Sequence, residues 1–216
     1  VPGGGHLGVV DGRGPARVGL LFPGQGTGSH HRGGALALRL PDVAAARADV
    51  PADALADPVA TPNAQPLTVA GSLAALEALR FLGIRASVAT GHSLGELSAL
   101  AWAGAVAVDD VVELARVRGA AMAGRGLPGT MASLEADVDM VRGLLAPYSA
   151  EEVTVAAVNS PHHTVVAGTA DAVASVLADA SERGVTGRHL PVSHAFHSPL
   201  VGPAAAVLGE HLSRLE

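Results

Sequence analysis

Short apolar runs alternate along the chain with longer stretches whose apolar residues recur three and four positions apart, the pattern of strands interleaved with helices. Residues 18–22 form the first apolar run and stop at Pro23-Gly24-Gln25-Gly26, which reads as a buried strand entering a tight turn. Five prolines between Pro41 and Pro66 interrupt any longer period and predict short helix and loop. From Gln65 to Leu82, Leu67, Val69, Leu73, Leu76 and Leu79 fall at helical spacing. Residues 86–90 read as a second short strand. Helices are predicted over 94–104 and 109–124, the latter capped by Asp109 with Val112, Leu114 and Val117 turned inward.

Past Pro128 the period changes. Strands at 130–134, 153–158, 164–167 and 189–192 enclose helices at 138–145 and 170–183, with Asn159-Ser160-Pro161 joining the middle strands. That is β-α-β-β-α-β over about 60 residues, the signature of a ferredoxin-like unit. The predicted organisation is a Gly/Pro-rich linker over 1–17 and an α/β core over 18–127 and 193–216, interrupted by a ferredoxin-like subdomain over 128–192. No internal repeat is visible.

Composition narrows the chemistry. Of the 216 residues 49% are hydrophobic but only 2% aromatic, so the core must be built from Ala, Val and Leu. Cysteine is absent, which excludes thiol catalysis, thiolate zinc sites and disulfides. All 14 basic residues are Arg, so a Walker-type phosphate loop and lysine Schiff-base chemistry have no residue to build on. A net charge of −6 gives nucleic-acid binding no electrostatic support. No apolar run of about 18 residues and no signal-like start occur, so a cytoplasmic protein with no membrane partner is expected.

Gly91-His92-Ser93-Leu94-Gly95 fits G-x-S-x-G between a predicted strand and a predicted helix. Such a turn presents a serine hydroxyl at a helix N-terminus, where free amides and the helix dipole stabilise a developing oxyanion. With 27 glycines in the chain, the pattern without that context would carry little weight. A serine nucleophile needs a base. Of ten histidines, His194 and His197 share a loop where the subdomain returns to the core, and spacing does not choose between them.

Taken together, Phe22-Pro23-Gly24-Gln25-Gly26, the Gly91 to Leu100 segment, Arg118-Gly119 with Met122, Asn159-Ser160-Pro161 and His194-Ala195-Phe196-His197-Ser198 resemble a known motif series. It is that of the malonyl-CoA:acyl carrier protein transacylases and of the acyltransferase domains of polyketide synthases. The resemblance runs from about Val18 to Leu200 and implies an α/β-hydrolase-like core with a parallel sheet and an inserted ferredoxin-like subdomain. It implies a ping-pong transfer of malonyl from malonyl-CoA to the phosphopantetheine thiol of an acyl carrier protein, with no bound cofactor and no metal. Ser93 would be the nucleophile and His197 the base. Gln25 and Leu94 would supply oxyanion-hole amides, and Arg118 would bind the malonyl carboxylate. His92, Met122, Asn159, His194 and Phe196 would complete the substrate site, the Phe196 ring filling the space an α-methyl group needs. A neighbouring ketosynthase in the same polypeptide is the further partner implied.

The spacing between Gln25 and Ser93, Arg32-Gly33-Gly34-Ala35-Leu36 and the Gln65-Pro66 to Gly71-Ser72-Leu73 wording look most like iterative polyketide synthases, including the enediyne type. Family members continue past the histidine segment, so the core is expected to lack its C-terminal part here. Two other functions compete: a serine hydrolase or thioesterase editing acyl chains, and an inactive docking scaffold. A hydrolase would place an acid on a strand end between Ser93 and its histidine, yet Asp109, Asp110, Asp137, Asp139 and Asp171 all fall near helix starts, where capping is the simpler role. A scaffold has no need of Ser93, His197 and Arg118 together.

Overall fold

The computed structural model describes residues 17–25, 37–46, 52–192 and 194–214. The expected linker except Arg17, Gly26, the Arg32 to Leu36 segment and Ser193 lie outside them. The apolar run predicted first becomes strand β1 (Gly19–Phe22), which pairs in parallel with β2 (Val88–Gly91), Gly19 opposite Val88 and Phe22 opposite Gly91. Parallel strands need a long crossover. It consists of α1 (Pro41–Ala45), a 3₁₀ turn at Ala52–Leu55 and α2 (Thr61–Phe81). After β2 come α3 (Gly95–Trp102) and α4 (Val108–Arg125).

Three expectations are corrected here. β1 is not buried: Phe22 is, but Leu21 is 83% exposed, because among the described residues this sheet has only two strands and much of it stays uncovered. Helix α2 begins at Thr61 rather than Gln65. Pro62 stands in the first turn, where an amide has no helical partner to lose, and Pro66 removes only one bond further in. Asp109 does not cap α4; the cap position is Ala107, and Asp109 and Asp110 lie in the first turn, where they complement the helix dipole.

Helices α2, α3 and α4 pack through Val69, Leu73, Leu94, Ala101, Val111 and Ala115, the aliphatic core that the composition required. Near the start of α2 the approach is closest. A Cβ on Gly119 of α4 would lie 2.7 Å from the Thr61 carbonyl oxygen, so only glycine lets α4 rest on α2 there.

The second half follows the predicted order. Strand β3 (Thr130–Leu134), α5 (Val138–Leu145), β4 (Val153–Ser160), β5 (His163–Gly168), α6 (Ala170–Glu182) and β6 (Gly187–His189) form an antiparallel sheet of order β4-β5-β3-β6. Side chains start both helices: Asp137 accepts from the Met140 amide at 2.8 Å, and Thr169 from the Ala172 amide at 3.3 Å. Leu134, Val141, Leu144, Val166, Val173 and Val176 fill the space between sheet and helices. Each such fully buried Leu or Val contributes about 1.5–3 kcal/mol.

Two boundaries shift. β6 ends at His189 instead of spanning 189–192: the Leu190 amide still reaches the Met131 carbonyl at 2.9 Å, but Pro191 has no N–H to extend the ladder. Asn159 and Ser160 are the last residues of β4, and the turn falls after them. The chain then passes a 3₁₀ turn (Pro199–Val201) into α7 (Ala204–Leu212), which packs on α4. No helix among the described residues is long and apolar enough to cross a membrane.

Candidate active site

Parallel pairing of β1 and β2 aligns their C-terminal ends, so the turns leaving them lie side by side, where open α/β sheets place their ligands. The His92 amide donates to the Phe22 carbonyl at 3.0 Å, tying the two turns together. A Cβ on Gly91 would overlap the backbone of Gly95, and one on Gly95 would overlap the Phe22 carbonyl. The two glycines of G-x-S-x-G are therefore demanded by the approach of three backbone segments. Between them Ser93 adopts φ 52°, in the left-handed region that side chains other than glycine avoid. Amides of Gly95, Glu96 and Leu97 donate to the carbonyls of His92, Ser93 and Leu94, and the Leu94 amide precedes that ladder at the helix end.

Ser93 Oγ lies 2.8 Å from His197 Nε2. His197 is the other non-glycine residue with positive φ, at 61°, among the described residues. Its loop is fixed from several sides. Ser198 Oγ donates to the Ala195 carbonyl at 2.6 Å, the Leu127 amide to the Leu200 carbonyl at 2.8 Å, and Ala195 is fully buried. The His194 backbone forms a β-bridge with Pro128, and its ring lies 5.9 Å from that of Phe196. Of the two histidines that spacing left open, His197 is the one beside Ser93.

A cleft of about 520 Å³ opens at this pair, lined by His92, Glu96, Leu100 and Arg118 on one side and by Ala156 and Ala157 of β4 on the other. A larger hollow of about 610 Å³, between β1, α2 and α3, is walled by Leu20, Leu73, Ile84 and Trp102 and offers no nucleophile. Phe196 directly precedes His197 and is partly buried. It packs against the cluster of Met131, Val165, Ala195 and Leu200. Asn159 approaches through His92, Oδ1 lying 3.1 Å from Nε2, which links the end of β4 to the serine turn.

Arg118 reaches the cleft from α4 and is half-buried. Among the described residues it enters no ion pair; its Nη1 donates to Gln65 Oε1 at 2.8 Å. Desolvation pulls its pKa below that of a free guanidinium, and the charge of Glu96 pulls the other way. Met122 touches the same network, accepting from Gln65 Nε2 at 3.4 Å, and Gln25 accepts from that nitrogen at 3.3 Å. No group of three His, Asp or Glu side chains with metal-site geometry occurs among the described residues.

Residues 52–216 match the family model of the acyl transferase domain. The chain belongs to the acyl transferase domain family. It is 36% identical over 221 residues to polyketide synthase GfsB of Streptomyces halstedii, covering 94% of this chain but 4% of that one. It is similar to the acyltransferase domain of an iterative polyketide synthase in enediyne biosynthesis, with 42% identity, a TM-score of 0.76, and 94% of this chain and 47% of that chain covered. It is also similar to an acyl-carrier-protein S-malonyltransferase of Burkholderia pseudomallei, at 33% identity, a TM-score of 0.78, and 93% and 71% coverage.

In this acyl transferase domain, three polar residues at the site carry no assigned role in the motif reading. Thr61 and Gln65 are both only 1% exposed, and Glu96 lines the cleft. A signal for the first two exists in the sequence. Thr61, Gln65, Val69 and Leu73 repeat every four residues and are all buried, so the polar pair extends the apolar stripe of α2 toward the site.

Proposed function

We propose that this domain carries out Ser-His ping-pong acyl transfer, taking malonyl from malonyl-CoA and passing it to the phosphopantetheine thiol of an acyl carrier protein within a polyketide synthase. The observation that carries the reading is the 2.8 Å contact between Ser93 and His197 at the mouth of a cleft that also holds an arginine with a neutral partner. His197 Nε2 takes the proton from Ser93 Oγ as the oxygen adds to the thioester carbonyl. The negative charge forming on the carbonyl oxygen is met by the amides of Gln25 and Leu94. Collapse expels the CoA thiolate, which receives the proton from His197. The carrier thiol then repeats the sequence in reverse on the seryl ester.

Arg118 selects the acyl group. Its planar fork matches a carboxylate, and a partly desolvated guanidinium without a carboxylate partner favours a substrate that brings one. Among the described residues no carboxylate hydrogen-bonds His197, which disfavours a hydrolase triad of serine, histidine and acid. The strand order β4-β5-β3-β6 supports reading residues 128–192 as a ferredoxin-like subdomain inserted in an α/β-hydrolase-like core.

Incubating the protein with malonyl-CoA is expected to give a malonyl ester on Ser93, detected by peptide mass spectrometry and discharged by added carrier protein. Rapid release of free malonate without transfer would favour the hydrolase, and an unmodified serine the scaffold. Acetyl-CoA is expected to label more slowly. Arg118→Ala is expected to reduce malonyl labelling by on the order of 10²-fold and to narrow or invert the gap to acetyl-CoA, since a lost charged hydrogen-bond pair is worth about 1.5–3 kcal/mol. Equal losses for both thioesters would make Arg118 structural.

The pH profile follows from the base. Desolvation in the cleft, then the charges of Arg118 and His92, hold His197 below its ordinary value of 6.5, with Glu96 opposing them. Only the neutral imidazole accepts the serine proton, so the rate falls as pH drops through the His197 pKa. The acid limb of kcat/KM is therefore expected below pH 6.5. Glu96→Gln removes the opposing charge and moves that limb to still lower pH; a shift upward would contradict the assignment.

A further inference from the structure

Helix α2 carries a deeply buried polar side chain, Gln65, beside Arg118. Gln65 is 1% exposed, and a carboxamide at that depth must place both its donor and its acceptor. Its orientation is not free. Arginine has donors only, so the contact at 2.8 Å to Arg118 Nη1 requires the Gln65 oxygen. Nε2 is thereby turned the other way, where it meets Gln25 Oε1 at 3.3 Å and Met122 Sδ at 3.4 Å, both acceptors. Gln25 in turn donates from Nε2 to Thr61 Oγ1 at 3.3 Å. The polarity runs consistently from one end to the other. Gln25, Met122 and Thr61 fix the amide, and the amide fixes the guanidinium.

We propose that Gln65 is the positioning residue of the carboxylate anchor: it orients Arg118 toward the cleft through a neutral acceptor that leaves the arginine's charge for the substrate. The proposal rests on the reading of Arg118 as that anchor. Charge type matters as much as shape. A glutamate at this place would hold the guanidinium at least as firmly, but as an ion pair, and would compete with the incoming carboxylate. An apolar residue would leave the guanidinium without its one hydrogen-bond acceptor among the described residues and free to take other rotamers. Glutamine orients without neutralising. Because Gln65 sits one turn beyond Thr61, where Gly119 lets α4 close on α2, the distance between the two helices is set where this contact needs it.

The test compares Gln65→Met, Gln65→Glu and Arg118→Ala in the full chain, using Ser93 acylation by malonyl-CoA and by acetyl-CoA, with circular dichroism melts to establish folding. Gln65→Met is expected to raise KM and lower kcat/KM for malonyl-CoA by about 10- to 100-fold, the scale on which displaced positioning groups act, with acetyl-CoA nearly unchanged. Gln65→Glu is expected to lose malonyl transfer to the level of Arg118→Ala while keeping acetyl transfer. If Arg118→Ala is selective against malonyl and the folded Gln65 variants are not, the proposal is overturned and the anchor reading stands. If Arg118→Ala itself affects both thioesters equally, both fall. Wild-type malonyl kinetics in Gln65→Glu overturns it whatever happens to the methionine variant.

Discussion

Ser93→Ala is expected to abolish covalent labelling by malonyl-CoA in a protein that still folds. The acyl enzyme needs an oxygen at this position, and no neighbouring group supplies one: the residues flanking Ser93 are His92 and Leu94. Among the described residues the hydroxyl has one hydrogen bond, to His197, and removing it leaves the backbone strain unchanged because alanine carries the same Cβ. Stability is therefore expected to change by less than about 1 kcal/mol. Intact-mass measurement after incubation, paired with a thermal melt, checks both halves. Labelling that persists at wild-type stoichiometry would move the nucleophile elsewhere.

The second large effect separates the two histidines. His197→Ala is expected to slow acylation by about 10²- to 10⁴-fold, the range of general-base catalysis. His194→Ala is expected to stay near wild type, because its ring pairs with that of Phe196 while the Ser93 hydrogen bond belongs to His197. Single-turnover rates at neutral pH decide it. The reverse ranking would mean that the loop places the wrong ring in the site, and the Ser93–His197 contact would have to be abandoned as the working pair.

The serine turn was legible because G-x-S-x-G encodes steric demands: each glycine is required by a backbone that passes within contact distance. The elements after Pro128 were legible to within a few residues, since alternating strands and amphipathic helices carry their periods openly and Asp137 and Thr169 mark the starts. The histidine choice was not, because it depends on how Ala195 and Ser198 pin a loop against Leu127 and Gly129, contacts between distant parts of the chain. The start of α2 was hidden by Pro62 and Pro66, residues that break helices in the interior but are tolerated near an N-terminus. That misplacement left Gln65 at a helix boundary instead of one turn inside it, which concealed its contact with Arg118.

Among the described residues, Ser93 and His197 are the two non-glycine residues held in left-handed backbone, and this has a consequence for how the domain tolerates change. Each such conformation stores about 1–3 kcal/mol that the surrounding packing must outweigh. A domain of this size has a total margin of only about 5–15 kcal/mol. Its chemistry thus consumes part of the reserve that would otherwise absorb random substitutions in the Ala, Val and Leu core. Glycine at either position would relieve the strain and end the reaction in one step. Selection for robustness and selection for turnover therefore oppose each other at these two residues.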